Sequence, residues 1–255
     1  MNKIVKYVTI DILKSKVVLT YLIFLFLTCF GIFNLDNNTT KGILSLLNII
    51  LFIVPLVSLI YSTIYIFNSG EFIELLVAQP ISRKKLITSI YAAVSLSLVT
   101  AFIVGAGIPV LIYSPDKIGL LFIITGALLT LIFTSLAFLG SVITRDKAKG
   151  IGMAIFIWLF FSILYDGILL LIMFQFSDYP IEKLIIVLSS FNPVDISRIL
   201  ILIHTDYSAL MGYSGALFKE FLGSQKGSVV IFAILIAWII IPAIAAIRKF
   251  IRKDF

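Results

Sequence analysis

Three stretches of this chain carry residues able to do more than fill an apolar interior. In WLFFSILYDGILLLIMF, Asp166 is the one carboxylate deep in a long apolar run. An acid at that depth costs about 2–4 kcal/mol and marks an ion pathway, a proton relay or a partner on another helix. Two readings stay open: an ion-coupled path through Asp166, or a structural acid that pins its helix with Tyr165 beside it. In FNPVDISRIL, Asn192 suits a helix cap and Pro193 the first helical position, with Asp195 and Arg198 paired at i, i+3. The third stretch is NSGEFIELLVAQPISRKKL. Asn68 or Ser69 can cap, and Glu71 and Glu74 stand near the positive helix end. Phe72, Ile73, Leu75, Leu76 and Val77 supply an apolar side. Pro80 stops the helix and holds Gln79 extended, Ser82 caps the next span, and Arg83, Lys84 and Lys85 mark its boundary. A solvated turn does not need the apolar stripe, whereas a short lever docking into a groove on a soluble partner does.

The absences exclude whole classes. No G-x-x-x-x-G-K-[ST] loop is present to cradle nucleotide phosphates, and no H-E-x-x-H helix. The single histidine, His204, and the single cysteine, Cys29, build neither a His-based metal site nor a disulfide. Met153, Met173 and Met211 are too scattered for a thioether relay. We expect no catalytic residues, no metal site and no cofactor in this chain.

The elements that must position these residues follow from composition. Of 255 residues 61% are hydrophobic and 13% charged, against roughly 45–50% and 25% in soluble domains. Mean hydropathy is +1.16. A soluble core of this size cannot hide that surface. At about 20 residues per crossing, six helical spans fit near 17–34, 43–67, 86–113, 118–143, 150–176 and 228–247. With the N-terminus in the cytoplasm, the inner segments hold 14 of the 20 Lys and Arg residues, and most acids lie outside. The net charge of +7 is therefore topogenic and implies no nucleic-acid partner. Residues 1–16 form a cationic amphipathic elbow helix with Ile4, Val5, Val8 and Ile12 on one arc, lying in the headgroup layer. Residues 177–227 are too apolar for a linker and read as a helical outer cap that re-enters the membrane or lies on it. IEKLIIVLSSF, FNPVDISRILILIH and YSGALFKEFLGS are its helical stretches. Pro55, Pro109 and Pro242 interrupt spans two, three and six and permit kinks.

The basic elbow, ELLVAQPISRKKL, WLFFSILYDGILLL, FNPVDISRILIL and the ending AWIIIPAIAAIRKFIRK together resemble the permease subunits of ABC-2 type ATP-binding-cassette transporters. The chain is most similar to NosY-type permeases, which serve the assembly of the copper centres of nitrous oxide reductase. The resemblance implies one all-α transmembrane domain over 1–255, in the manner of a type V exporter, in the inner membrane with both termini cytoplasmic. It implies a homodimer with two copies of a separate cytoplasmic ATPase that holds the ATP and magnesium, and a periplasmic accessory protein on the 177–227 cap. The helix within 68–80 becomes the coupling helix, with Glu71, Phe72, Glu74, Leu75, Leu76 and Pro80 at the ATPase contact. NosY-type chains are richer in Glu and Gly just before the LL…P run than NSGEFIE is. The cargo implied is copper or a sulfur species. The rival readings are a secondary transporter centred on Asp166 and a non-transporting anchor for a periplasmic maturation complex.

Overall fold

The computed structural model describes residues 2–35, 38–77, 82–144, 146–176, 179, 182–205 and 225–252. All secondary structure among them is helical, as long apolar runs dictate where backbone groups must satisfy one another. Among the described residues six helices are long and apolar enough to cross a membrane: α2 (Lys16–Leu35), α3 (Thr39–Asn68), α5 (Arg83–Tyr113), α6 (Lys117–Ile143), α7 (Lys147–Gln175) and the last, which runs through Gln225–Ile251. Their ends lie within a few residues of the expected bounds. The chain is a multi-pass membrane protein, and the start of α5 meets the end of the last span, where Arg83 Nη1 reaches the Ile251 carbonyl; this side is here the terminal side.

Helices α3, α5 and α6 form the core. A Cβ at Gly126 in α6 would overlap the ring of Phe102 in α5, so the small residue sets how closely these two helices approach. The outer helices differ sharply, since only 6% of the most apolar window of α7 is buried, against 61% for α6. Two spans contain a widened, π-helical turn, at Ile103–Gly107 in α5 and Phe160–Leu164 in α7. At the first, a Cβ on Gly105 would stand 2.9 Å from the Leu22 carbonyl of α2. Pro109 follows that turn directly, while Pro55 is accommodated inside α3. One residue from Pro55's open Leu51 acceptor, the Phe52 carbonyl accepts a hydrogen bond from Trp158 Nε1 at 3.0 Å.

The amphipathic helix α1 (Asn2–Leu13) is present, but its apolar arc is not simply laid on lipid. Val8 and Ile12 are fully buried, and Ser97 Oγ of α5, which donates to the Ala93 carbonyl of its own helix, lies 3.4 Å from the Thr9 carbonyl. The elbow thus packs on the bundle, while Tyr7 and Ile10 stay exposed. Cys29 is buried and free, and Met153 packs against Gly140, so both fill space.

Between α7 and the last span lie α8 (Glu182–Ser189) and α9 (Pro193–Leu202), joined by a tight turn; the last span is α10 (Gln225–Ile251). Tyr165 Oη donates to the Leu188 carbonyl at 2.6 Å, and Trp238 Nε1 to the Ser190 carbonyl at 3.2 Å. Phe161 and Trp238, in edge contact at 5.4 Å, stand at the centres of α7 and α10. By helical rise the tip of the hairpin therefore lies about 20 Å below the helix ends, near mid-span. Residues 182–205 thus pack against α7 and α10 down to the middle of those two helices. The stretch YSGALFKEFLGS lies outside the described residues.

Candidate functional site

On the side away from the termini, the hairpin builds a charged cluster. Asn192 is the N-cap of α9, its Oδ1 accepting from Val194 N at 3.0 Å while its Nδ2 donates to the Phe161 carbonyl at 2.9 Å. That carbonyl belongs to the widened turn of α7, so one amide side chain both starts α9 and ties it to α7. Pro193 occupies the first position of α9 and is buried, as are all but two residues of that helix. Asp195, one turn on, accepts from Arg198 Nη1 at 3.2 Å, and the same nitrogen donates to Asp166 Oδ2 of α7 at 2.9 Å.

Asp166 is therefore neither a lone relay nor the partner of Tyr165, whose hydroxyl is committed to Leu188. The fold brings Asp166, Arg198 and Asp195 together, and reading the chain linearly missed it, because Arg198 counts there as an outer-loop cation. Two carboxylates share one guanidinium, leaving a formal charge of −1. Among the described residues Asp166 Oδ1, Asp195 Oδ2 and Arg198 Nε have no hydrogen-bond partner. Further out, His204 Nδ1 lies 3.0 Å from the Leu200 carbonyl and Nε2 3.4 Å from Ser228 Oγ, joining the end of α9 to α10.

On the terminal side, α4 (Gly70–Val77) sits between α3 and α5. Ile73 is the buried anchor, and Leu76 turns inward with it. Glu71, Phe72, Glu74 and Leu75 face outward, Leu75 with 68% of its surface open. Of the six expected contact residues, four thus form an open acidic and apolar face, Leu76 supports it, and Pro80 lies outside the described residues. The expected side-chain caps are not made. Ile73 N bonds the Ser69 carbonyl, and Ser82 offers α5 no side-chain bond. Asn68 instead accepts from Lys147 Nζ at 2.7 Å. A Cβ on Gly150 would overlap Phe67, so the start of α7 is seated on the end of α3. Arg83 Nη1 reaches the Ile251 carbonyl at 3.4 Å, linking α5 to α10. The helix α4 thus packs on α5 and on the end of α3, and the end of α3 in turn carries the start of α7.

Among the described residues no group of three or more His, Cys, Asp or Glu side chains is placed to hold a metal ion.

Two comparisons bear on the arrangement. Residues 9–255 match the model of the ABC-2 family transporter protein family. The chain is 26% identical over 225 residues to the probable ABC transporter permease protein NosY of Stutzerimonas stutzeri, covering 83% of this chain and 80% of the relative. It is 27% identical over 188 residues to the protein of the same name from Pseudomonas aeruginosa, covering 69% and 68%. Six membrane-crossing helices and a family match over nearly the whole length make this chain a NosY-like member of the ABC-2 transporter permease family.

Proposed function

We propose that the chain is the membrane half of a homodimeric ATP-driven transporter and receives its energy through α4 from a separate cytoplasmic ATPase. The observation that carries this reading is the outward face Glu71, Phe72, Glu74 and Leu75 on a helix whose opposite side is anchored by Ile73. Acid and exposed apolar surface side by side suit a partner groove with basic rims. Because α4 packs on α3 and α5, and the end of α3 seats the start of α7, a shift imposed on it by ATPase closure would act on α3 and α5 directly and on α7 through α3. The basic termini then face the cytoplasm in the inner membrane, as the distribution of Lys and Arg favours.

In this proposal the cargo is a copper or sulfur species, a choice that the likeness to NosY-type permeases supports, with a periplasmic accessory protein receiving or presenting it near the mouth of the hairpin. Asp166 supports the bundle in this reading. Its ion pair to Arg198 speaks against a free carboxyl that cycles through protonation alone as a secondary transporter requires.

The test is purification of the tagged chain from its native membrane with whatever ATPase accompanies it. A phosphate-loop ATPase is expected at two copies per two copies of this chain. Glu71→Arg with Glu74→Arg is expected to lower its retention and its ATP hydrolysis at least tenfold, while the permease remains folded. Unchanged association and hydrolysis in that variant would remove α4 as the coupling element. Uptake driven by an ion gradient with no ATPase present, abolished by Asp166→Asn, would establish the secondary transporter instead.

A further inference from the structure

Where α1 turns into α2, the surface opens into a groove that neither the coupling face nor the hairpin uses. A cavity of about 710 Å³ lies between the elbow and α3, with Asp11, Lys14, Ser15, Tyr61, Asn68 and Ser69 at its polar end. A second, of about 460 Å³, continues along α2 and α3 past Thr20, Phe24 and Ile53. Val17 and Val57 line both, so the two form one groove. Tyr61 Oη donates to Ser15 Oγ at 3.1 Å and holds the elbow against α3.

The groove's depth matches one leaflet. Helix α2 has 20 residues, about 30 Å of rise, which is the hydrocarbon thickness, so Lys16 marks the hydrocarbon boundary on the terminal side. Asn68 and Ser69 stand about 10 Å beyond Tyr61, in the headgroup layer. Ile53 lies near the centre of α3, at the bilayer midplane. The groove thus runs from headgroup level to the ends of the acyl chains of a single leaflet, polar at the top and apolar below.

The charges at the mouth are open. Among the described residues Asp11, Lys14 and Lys16 make no salt bridge to one another or to any other side chain; the ion pairs seen there are those of Arg198 with Asp166 and Asp195. Lys14 and Lys16 are exposed on either side of Ser15, and Asp11 lies one turn before Lys14. Two cations at the hydrocarbon boundary match a phosphate, and the carboxylate above them matches a cationic donor.

We infer that this groove is a binding site for one glycerophospholipid whose headgroup carries both a phosphate and a primary ammonium, as in phosphatidylethanolamine. The phosphate sits between Lys14 and Lys16, the ammonium meets Asp11, and an acyl chain follows Val17 and Val57 toward Ile53. A lipid held there wedges the elbow against α3. The site stands whether or not the chain couples to an ATPase through α4.

The test is native mass spectrometry of the whole protein in detergent, titrated with phosphatidylethanolamine, phosphatidylglycerol and phosphatidylcholine of identical acyl chains. The wild type is expected to bind phosphatidylethanolamine at least fivefold more tightly than phosphatidylcholine, whose methylated ammonium cannot donate to Asp11. Lys14→Gln with Lys16→Gln is expected to weaken phosphatidylethanolamine and phosphatidylglycerol alike by roughly 25-fold, about fivefold per lysine. Asp11→Asn should erase the preference over phosphatidylcholine and leave phosphatidylglycerol unweakened. Val57→Trp, or Ile53→Trp if the first variant fails to fold, should remove the bound lipid by filling the groove. Equal affinity for the three lipids would reduce the groove to annular contact and overturn the proposal. So would lipid retention in a folded groove-filling variant, or displacement of the headgroup by millimolar inorganic phosphate alone.

Discussion

Arg198 Nη1 donates to Asp166 Oδ2 at 2.9 Å, joining two residues 32 apart in sequence and fastening helix α9 to α7. Both side chains keep about 30% of their surface open, so the pair is neither sealed nor a surface ornament. Removing the guanidinium leaves two carboxylates facing each other without a cation. Arg198→Met is therefore expected to destabilise the protein by roughly 1–3 kcal/mol, below the 3–5 kcal/mol of fully sealed pairs. Asp166→Asn retains an acceptor for Arg198 and removes the surplus negative charge, so it should be nearly neutral. Thermal unfolding in detergent separates the two. Equal losses in both variants would show that the cluster is not limited by its excess carboxylate.

The spans, the elbow and the short helix before Pro80 were legible because each writes its period or its length into consecutive residues. The hairpin was only half legible. Helices α8 and α9 have 8 and 10 residues, too few for hydropathy to reveal how far down α7 and α10 they pack. Asp195 with Arg198 could be read at i, i+3, whereas Asp166 with Arg198 could not, since that pair depends on how deep the hairpin reaches. Asn68 shows the same limit. Its type and place favour a cap on α4, but Lys147, 79 residues later, takes its carboxamide oxygen. The widened turns at Ile103–Gly107 and Phe160–Leu164 have no local signature, because they answer to neighbours packed against them.

Gly126 tests the core. Lipid supplies no hydrophobic drive between spans, so close packing and hydrogen bonds must hold them. A side chain at Gly126 overlaps the fully buried ring of Phe102, and Gly126→Val should cost roughly 1–3 kcal/mol by overpacking. A methyl group placed on Gly167 of α7 would meet nothing within 4 Å, so Gly167→Ala should be neutral or slightly stabilising through helix propensity. Unfolding midpoints of the two variants, measured side by side, check the contrast. A well-folded Gly126→Val of native stability would mean that α5 and α6 can separate freely.

Asn192 offers the sharpest comparison, because its two ends do different work. Its oxygen caps α9 at Val194 N and its amide donates to the Phe161 carbonyl. Asn192→Ala loses both, about 1 kcal/mol for the cap and a similar amount for the interhelical bond. By its cap alone Asn192→Asp should be the milder change, since aspartate is an equally good N-cap at a positive helix end. At this position the order should reverse. The new carboxylate cannot donate to Phe161, is fully buried, and adds a third acid one turn from Asp195. Asn192→Asp is thus expected to unfold at a lower temperature than Asn192→Ala near neutral pH, and to recover toward it as the pH is lowered. If Asn192→Asp proves the more stable at neutral pH, capping outweighs the α7 contact, and the hairpin tip is held by Trp238 and Tyr165 rather than by Asn192.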